Sequence, residues 1–325
     1  MENAPIILFA YGRPIHLNNL LHSLAANAES KDSLLYIYCD GAKEGTHQSI
    51  IENINEVRKI ARQEKRFKQC IVKVQEKNKG LGTSIIDGVT EIINQFGKII
   101  VLEDDLILSP YFLYYMNDSL RRYENHSNVG QIGGSNFFAC GPKYPSIFFT
   151  AIPDCLGWGT WKDKWQHFNP ISNELLQLLQ NSNKMDRFNV YGSYDMEGML
   201  KDQINGKVSS WAIRFQAVCV LNDWMVLYPN PSMTNHIESA EATHANFNIV
   251  PPLCLSKPVL QTVETVEIPR VIKAMKLSYS GMGDYFGEVK KDLYFKYHRR
   301  RIKNNIRNFI RSSFGIKKNV GNTTL

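Results

Sequence analysis

Long apolar runs are missing from this chain of 325 residues: none approaches the roughly 18 residues that a bilayer-spanning helix needs, so no segment is expected to cross a membrane. Cysteines are few and scattered. Cys39, Cys70, Cys140, Cys155, Cys219 and Cys254 form no CxxC pair, and no histidine stands at zinc-finger spacing from any of them. That excludes a disulfide scaffold and a structural zinc site, and reduced thiols of an intracellular chain are the expectation. A secretory leader is also lacking, because the apolar run Pro5 to Tyr11 follows Glu2 instead of a basic region and stops at Gly12-Arg13-Pro14. Internal repeats and low-complexity tracts are absent as well. What remains is ordinary globular composition, 43% hydrophobic and 21% charged, which rules out disorder for the chain as a whole.

The formal charge of +7 is unevenly placed. From Lys290 onward there are eleven Lys and Arg against the single acid Asp292, which leaves residues 1 to 289 at about three units negative. A nucleic-acid enzyme would spread positive charge over its working face, so no nucleic-acid partner is expected, and the basic tail reads as an appended device.

Residues 6–10, 34–39, 69–74 and 98–102 read as buried strands, and 15–26, 49–64 and 81–95 as helices between them. Connections of that length demand a mostly parallel sheet with helices on both faces, an α/β class in which ligands bind beyond the carboxyl ends of the strands. Those ends carry Tyr11-Gly12-Arg13-Pro14, Asp40-Gly41, Glu76-Lys77-Asn78-Lys79-Gly80 and Glu103-Asp104-Asp105. A guanidinium, an isolated carboxylate, a Lys-Gly turn and an acidic triplet thus converge on one rim. The division expected along the chain is 1–136 for a ligand-binding α/β half, 137–285 for a loop-rich recognition half that holds all five tryptophans, and 286–325 for a basic amphipathic tail.

The triplet is the strongest signal. Three adjacent carboxylates after a buried strand repel one another unless a cation or hydrogen-bond donors compensate. Oxygen ligands of this kind suit Mg²⁺ or Mn²⁺, ions that take one or two protein carboxylates and complete their shell with substrate phosphate. The acids could instead cap the helix beginning at Ser109-Pro110, but Leu106-Ile107-Leu108 intervene. The turn Lys79-Gly80-Leu81-Gly82 lacks P-loop spacing, so it implies only a helix N-terminus near the donor.

The string Val101-Leu102-Glu103-Asp104-Asp105-Leu106 resembles the acidic motif of GT-A glycosyltransferases. It is most similar to the inverting α-mannoside N-acetylglucosaminyltransferases of the Golgi and to related bacterial sugar transferases. Tyr11-Gly12-Arg13, Cys39-Asp40-Gly41, Leu156-Gly157-Trp158-Gly159 and Ser210-Trp211-Ala212-Ile213-Arg214 match further elements of that family, over residues 4 to about 250. The resemblance implies a Rossmann-like GT-A fold, a UDP-sugar donor and a saccharide acceptor. It implies that Asp105 binds the metal, that Glu103 meets donor-sugar hydroxyls, that Asp104 lies near the ribose or the metal shell, and that Arg13 and Asp40 hold the nucleobase. Lys79 is expected near the diphosphate.

The family's base follows a tryptophan where this chain has Ala212, which cannot serve. Asp195 is the first candidate to deprotonate the acceptor and Asp154 the second; either could equally cap a helix. Trp158, flanked by Gly157 and Gly159, is the expected sugar-stacking ring, whereas Trp161 and Trp165 suit the core. Both His236 and His244 lie where GT-A enzymes place a late histidine, and His244, in Ala242-Thr243-His244, is the expected donor-site residue, a structural histidine being the alternative. In the tail, Ile302, Ile306, Phe309, Ile310 and Phe314 form an apolar stripe among arginines and lysines, which fits an anionic membrane surface. The expectation is therefore a metal-dependent inverting glycosyltransferase, cytoplasmic and peripheral to the inner face of the membrane. A sugar-nucleotide nucleotidyltransferase and a non-catalytic carbohydrate-binding protein are the alternatives.

Overall fold

The computed structural model describes residues 2–237, 251–282 and 288. The first part of the chain alternates as its hydrophobic pattern requires. Strand β1 (Ile6–Ala10) leads to α1 (Pro14–Ala25), β2 (Leu34–Cys39) to α2 (Gln48–Gln63), β3 (Gln69–Val74) to α3 (Leu81–Phe96), and β4 (Lys98–Glu103) comes after them. Side chains of β1 divide between two cores: Ile6, Leu8 and Ala10 pack with α1 and α2, while Ile7 and Phe9 pack with Ile85, Val89 and Ile92 of α3. Burial on both sides explains why these strands are continuous apolar runs rather than alternating ones.

Beyond β4 the order becomes irregular. A short β5 (Leu106–Leu108), α4 (Phe112–Arg122), β6 (Val129–Gly133), β7 (Ile147–Thr150) and β8 (Trp158–Trp161) come next, then four helices, α5 (Lys162–Trp165), α6 (Ser172–Asn181), α7 (Met185–Phe188) and α8 (Met196–Ile204). Helix α9 (Trp211–Leu221), β9 (Met225–Pro229), β10 (Thr234–His236) and α10 (Pro269–Tyr279) complete the described elements. Eight strands form one sheet in the order β3-β2-β1-β4-β8-β6-β9-β7. Strands β1 to β4 run parallel, β8 runs against both β4 and β6, β9 runs with β6, and β7 runs against β9. The fold is α/β with a mostly parallel sheet covered on both faces, as the alternation predicts. One sheet spans the expected boundary at residue 136, so the two halves share a scaffold.

The antiparallel strand β8 brings a second loop to the ligand rim. Because Trp158 pairs with Val101 and with Gly133, the start of β8 lies beside the carboxyl ends of β4 and β6, and the loop entering it joins that rim. The second sheet, β5 with β10, brings His236 opposite Leu106, just past the acidic triplet. None of the helices built from described residues is long and apolar enough to cross a membrane. His244 and the tail, apart from Glu288, lie outside the described residues.

Candidate active site

Arg13 is the residue around which the acids are arranged. It stands at the N-cap of α1, where a proline at the first helical position ends the extended chain of β1. Its guanidinium pairs with Asp104 and lies 3.0 Å from Asp105 Oδ2. The Tyr11 backbone N–H also donates to Asp104, at 3.3 Å. Asp104 is therefore spent inside the protein, and burial pushes its pKa up to about 6 although Arg13 opposes the shift. Asp104 is expected near the ribose or the metal shell; within the protein its oxygens face Arg13 and the β1 turn.

Asp105 has a different surrounding. Oδ2 lies 3.2 Å from His236 Nε2, and the Asp105 carbonyl accepts from the Ile237 N–H at 2.7 Å. Burial alone would raise the Asp105 pKa, but His236 and then Arg13 outweigh it and hold the carboxylate low. Glu103 shows the opposite result. Burial, then repulsion from Asp105 and Asp104, raises its pKa, while Arg13 and a hydrogen bond from Trp211 pull it back. Two neighbouring acids with pKa values driven apart are the arrangement expected where each has a separate task.

Cys155 completes the floor. Its surface is exposed, yet burial raises its thiol pKa, with Asp154, Glu103 and Asp105 adding to the rise. The thiol thus lies near Glu103 and Asp105. Sequence reasoning missed Cys155; its position next to Asp154, on the loop entering β8, was the available signal. The histidine at the acids is His236, brought there by the β5–β10 pairing.

The remaining expected site residues are placed differently. Both oxygens of Asp40 are committed to the loop after β3: they accept from Gly41 N at 2.8 Å, Lys79 N at 2.9 Å, Gly80 N at 3.0 Å and Asn78 Nδ2 at 3.0 Å. A Cβ at Gly41 would collide with the Lys77 backbone, which is why glycine comes after the aspartate. The Lys79 ammonium turns to Asp87 on α3, at 2.8 Å. Asp40 and Lys79 thus shape the rim, and Arg13 pairs with the acidic cluster.

Trp158 is a correction. It is 1% exposed and stacks on Trp211 at 4.8 Å, with Trp165 and Phe215 at 5.8 Å. Such a ring is core, and what it contributes to the cleft is the seat for Trp211, whose indole reaches Glu103. Asp154 is a second correction. Its side chain accepts from Gly134 N at 3.0 Å, Ser135 N at 2.7 Å and Leu156 N at 3.0 Å, and burial raises its pKa to about 6. It ties the β6 end to the loop before β8 through these backbone N–H groups. Asp195 is exposed, caps α8 through Gly198 N at 2.7 Å, and lines a small cavity with Tyr194.

Asp105 and His236 are the side chains that could hold a divalent ion. Three carboxylates face one guanidinium, so negative charge is in excess. The 3.2 Å between Asp105 Oδ2 and His236 Nε2 is close to that of neighbouring ligands around an octahedral ion with bonds of about 2.1 Å. Among the described residues no three His, Cys, Asp or Glu side chains form a ready-made metal cage.

No family model matches the chain, and no curated protein matches it. Among solved structures, the crystal structure of S. aureus TarS is similar at 15% identity with a TM-score of 0.30, over 46% of this chain and 24% of that one. The chain thus spans about a quarter of that neighbour's length, and a likeness so distant carries no argument about chemistry. Fold and cleft together define a Rossmann-like α/β protein with an acidic, arginine-braced site at the carboxyl ends of β1 and β4.

Proposed function

We propose that this chain is a metal-dependent inverting glycosyltransferase of the GT-A type, which moves a sugar from a nucleotide-sugar donor, a UDP-sugar, to a saccharide acceptor. The observation that carries the reading is the split within the triplet: Arg13 pairs with Asp104 and Asp105, His236 adds a contact to Asp105, and burial with repulsion from its neighbours pushes the Glu103 pKa up. In this reading Asp105 and His236 hold Mn²⁺ or Mg²⁺. The ion, when bound, supplies Lewis-acid stabilisation of charge on a departing diphosphate. Arg13 fixes the direction of the Asp105 carboxylate through its 3.0 Å contact. Glu103, oriented by the Trp211 indole, accepts hydrogen bonds from donor-sugar hydroxyls, a task compatible with a carboxyl that holds its proton longer than usual. Asp195, the exposed carboxylate of the acceptor half, takes the acceptor proton, and attack from the face opposite the leaving group inverts the anomeric centre. The basic tail is proposed to contact an anionic membrane surface, with the catalytic part on the cytoplasmic side.

Release of UDP from a panel of UDP-sugars tests the reading. Release with Mn²⁺, its loss in EDTA, and a fall of roughly 100-fold or more in Asp105→Asn are expected, the size seen when a stabilising group for leaving-group charge is removed. Pyrophosphate as the product would mean a nucleotidyltransferase. Binding of sugars without any nucleotide release would mean a carbohydrate-binding protein.

A further inference from the structure

A cavity of about 670 Å³ opens beside α10, and none of its lining residues belongs to the acidic cleft. One wall is the turn after α7, where Val190, Tyr191 and Gly192 take successive left-handed conformations, at φ 51°, 55° and 72°. For a fully buried β-branched valine that backbone is sparsely populated, and it persists only where the surroundings over-determine it, which is characteristic of ligand-holding turns. The other wall is α10, which presents Lys273, Lys276 and Leu277.

The charge of this cavity is lopsided. Glu267 is the one acid among the lining residues, and its carboxylate is already occupied: it accepts from the Tyr191 hydroxyl and from Ala151 N, and lies 3.5 Å from Arg187. Lys273 and Lys276, one helical turn apart and exposed, make no ion pair with any described residue. Two ammonium groups without an ion-pair partner among the described residues, beside apolar Leu277, suit an anionic ligand with a ring or chain to cover the apolar wall.

The cavity also adjoins Asp195. Gly192 and Ser193 line a second space of about 270 Å³ that Tyr194 and Asp195 share. Tyr194 packs on Tyr279 at 6.0 Å, and the Tyr279 hydroxyl lies within electrostatic reach of Cys155 and Asp154 at the cleft. We propose that the cavity beside α10 holds the phosphate-bearing part of the acceptor, an anionic saccharide whose phosphate meets Lys273 and Lys276 with Asp195 next to it. The identity of this occupant rests on the glycosyl-transfer reading; the anion site does not.

The test is equilibrium dialysis of glucose 1-phosphate and of glucose against the full chain in EDTA, which keeps phosphate from binding through a metal. Wild type and Asp105→Asn are expected to bind glucose 1-phosphate alike and glucose much more weakly. Lys273→Glu with Lys276→Glu is expected to lose at least tenfold in affinity, and Lys273→Gln with Lys276→Gln less, with unchanged melting midpoints because both side chains are exposed. The assignment is overturned by equal binding in the lysine variants, by loss in Asp105→Asn alone, by equal affinity for glucose, or by no binding to wild type at millimolar concentration. Lysine-dependent retention on phosphatidylglycerol vesicles without sugar-phosphate binding overturns it in favour of a membrane surface. If UDP release is unaffected in Asp105→Asn while lysine-dependent phosphate binding stands, the glycosyl-transfer reading fails and the anion site survives it.

Discussion

The two parts of the sheet are built by different means. From β1 to β4 each strand is joined to the next through a helix: β1·β2 and β2·β3 arise from consecutive crossovers, and the crossover from β3 returns past β2 to set β4 beside β1. From β4 onward, β8 inserts between β4 and β6, and β9 between β6 and β7, so partners lie far apart in the chain. Local crossovers present each acidic or basic turn at a fixed edge. Long-range insertion delivers side chains to that edge from places the local pattern does not mark, and the cleft needs both kinds.

The largest test of this contrast is Trp158, the first residue of the inserted strand. A ring stacked among Trp211, Trp165 and Phe215 is structural, so Trp158→Ala is expected to destabilise the protein by about 3–5 kcal/mol in urea unfolding, the range for removing a buried aromatic. If it instead left stability unchanged and reduced only transfer rate, the ring would be reading sugar, and the inserted strand would belong to the acceptor surface.

Legibility in the sequence divides along the same line. All four parallel strands and their three helices coincide with the apolar periodicity to within a residue or two, because each is an autonomous pattern closed by its own turn. The acid triplet was legible as well, since carboxylates directly after a buried strand have few other reasons to be there. Arg13 was visible as a rim residue, but its partner was not: that Asp104 and Asp105 face it depends on β1 and β4 being direct neighbours. Asp40 and Asp154 carry the polar residue type that substrates also use, and only the tertiary structure reveals that backbone N–H groups occupy their oxygens. His236 and Trp211 reach the cleft through pairings of β10 with β5 and of α9 against β8 that no periodicity encodes.

Asp154 sharpens the contrast with a pH dependence. The native protein keeps its proton up to about pH 6 because burial disfavours the charge, whereas an unfolded aspartate releases it near pH 4. The stabilisation is therefore fully present below about pH 4 and is lost as pH rises through about 6, a change on the order of 2–3 kcal/mol. Asp154→Asn cannot titrate, so the stability gap between variant and wild type is expected to be wider at pH 4.5 than at pH 7, measured by urea midpoint. A gap independent of pH would mean that the three backbone donors hold the carboxylate ionised throughout.

The smallest effect on stability is expected at Asp195, and it separates a capping role from a chemical one. Asparagine caps a helix as well as aspartate does, whereas alanine costs about 1 kcal/mol at such a position. Asp195→Asn should therefore keep the Gly198 contact and melt within about 0.5 kcal/mol of wild type, with Asp195→Ala lower by about 1 kcal/mol. Acceptor transfer is expected to fall roughly 100-fold or more in both variants, because neither can take a proton, while acceptor-independent UDP release stays close to wild type. Full transfer activity in Asp195→Asn would leave Asp195 as a cap only. The base would then have to come from another element of the inserted half, since Asp154 is held by three N–H groups and Ala212 has nothing to offer.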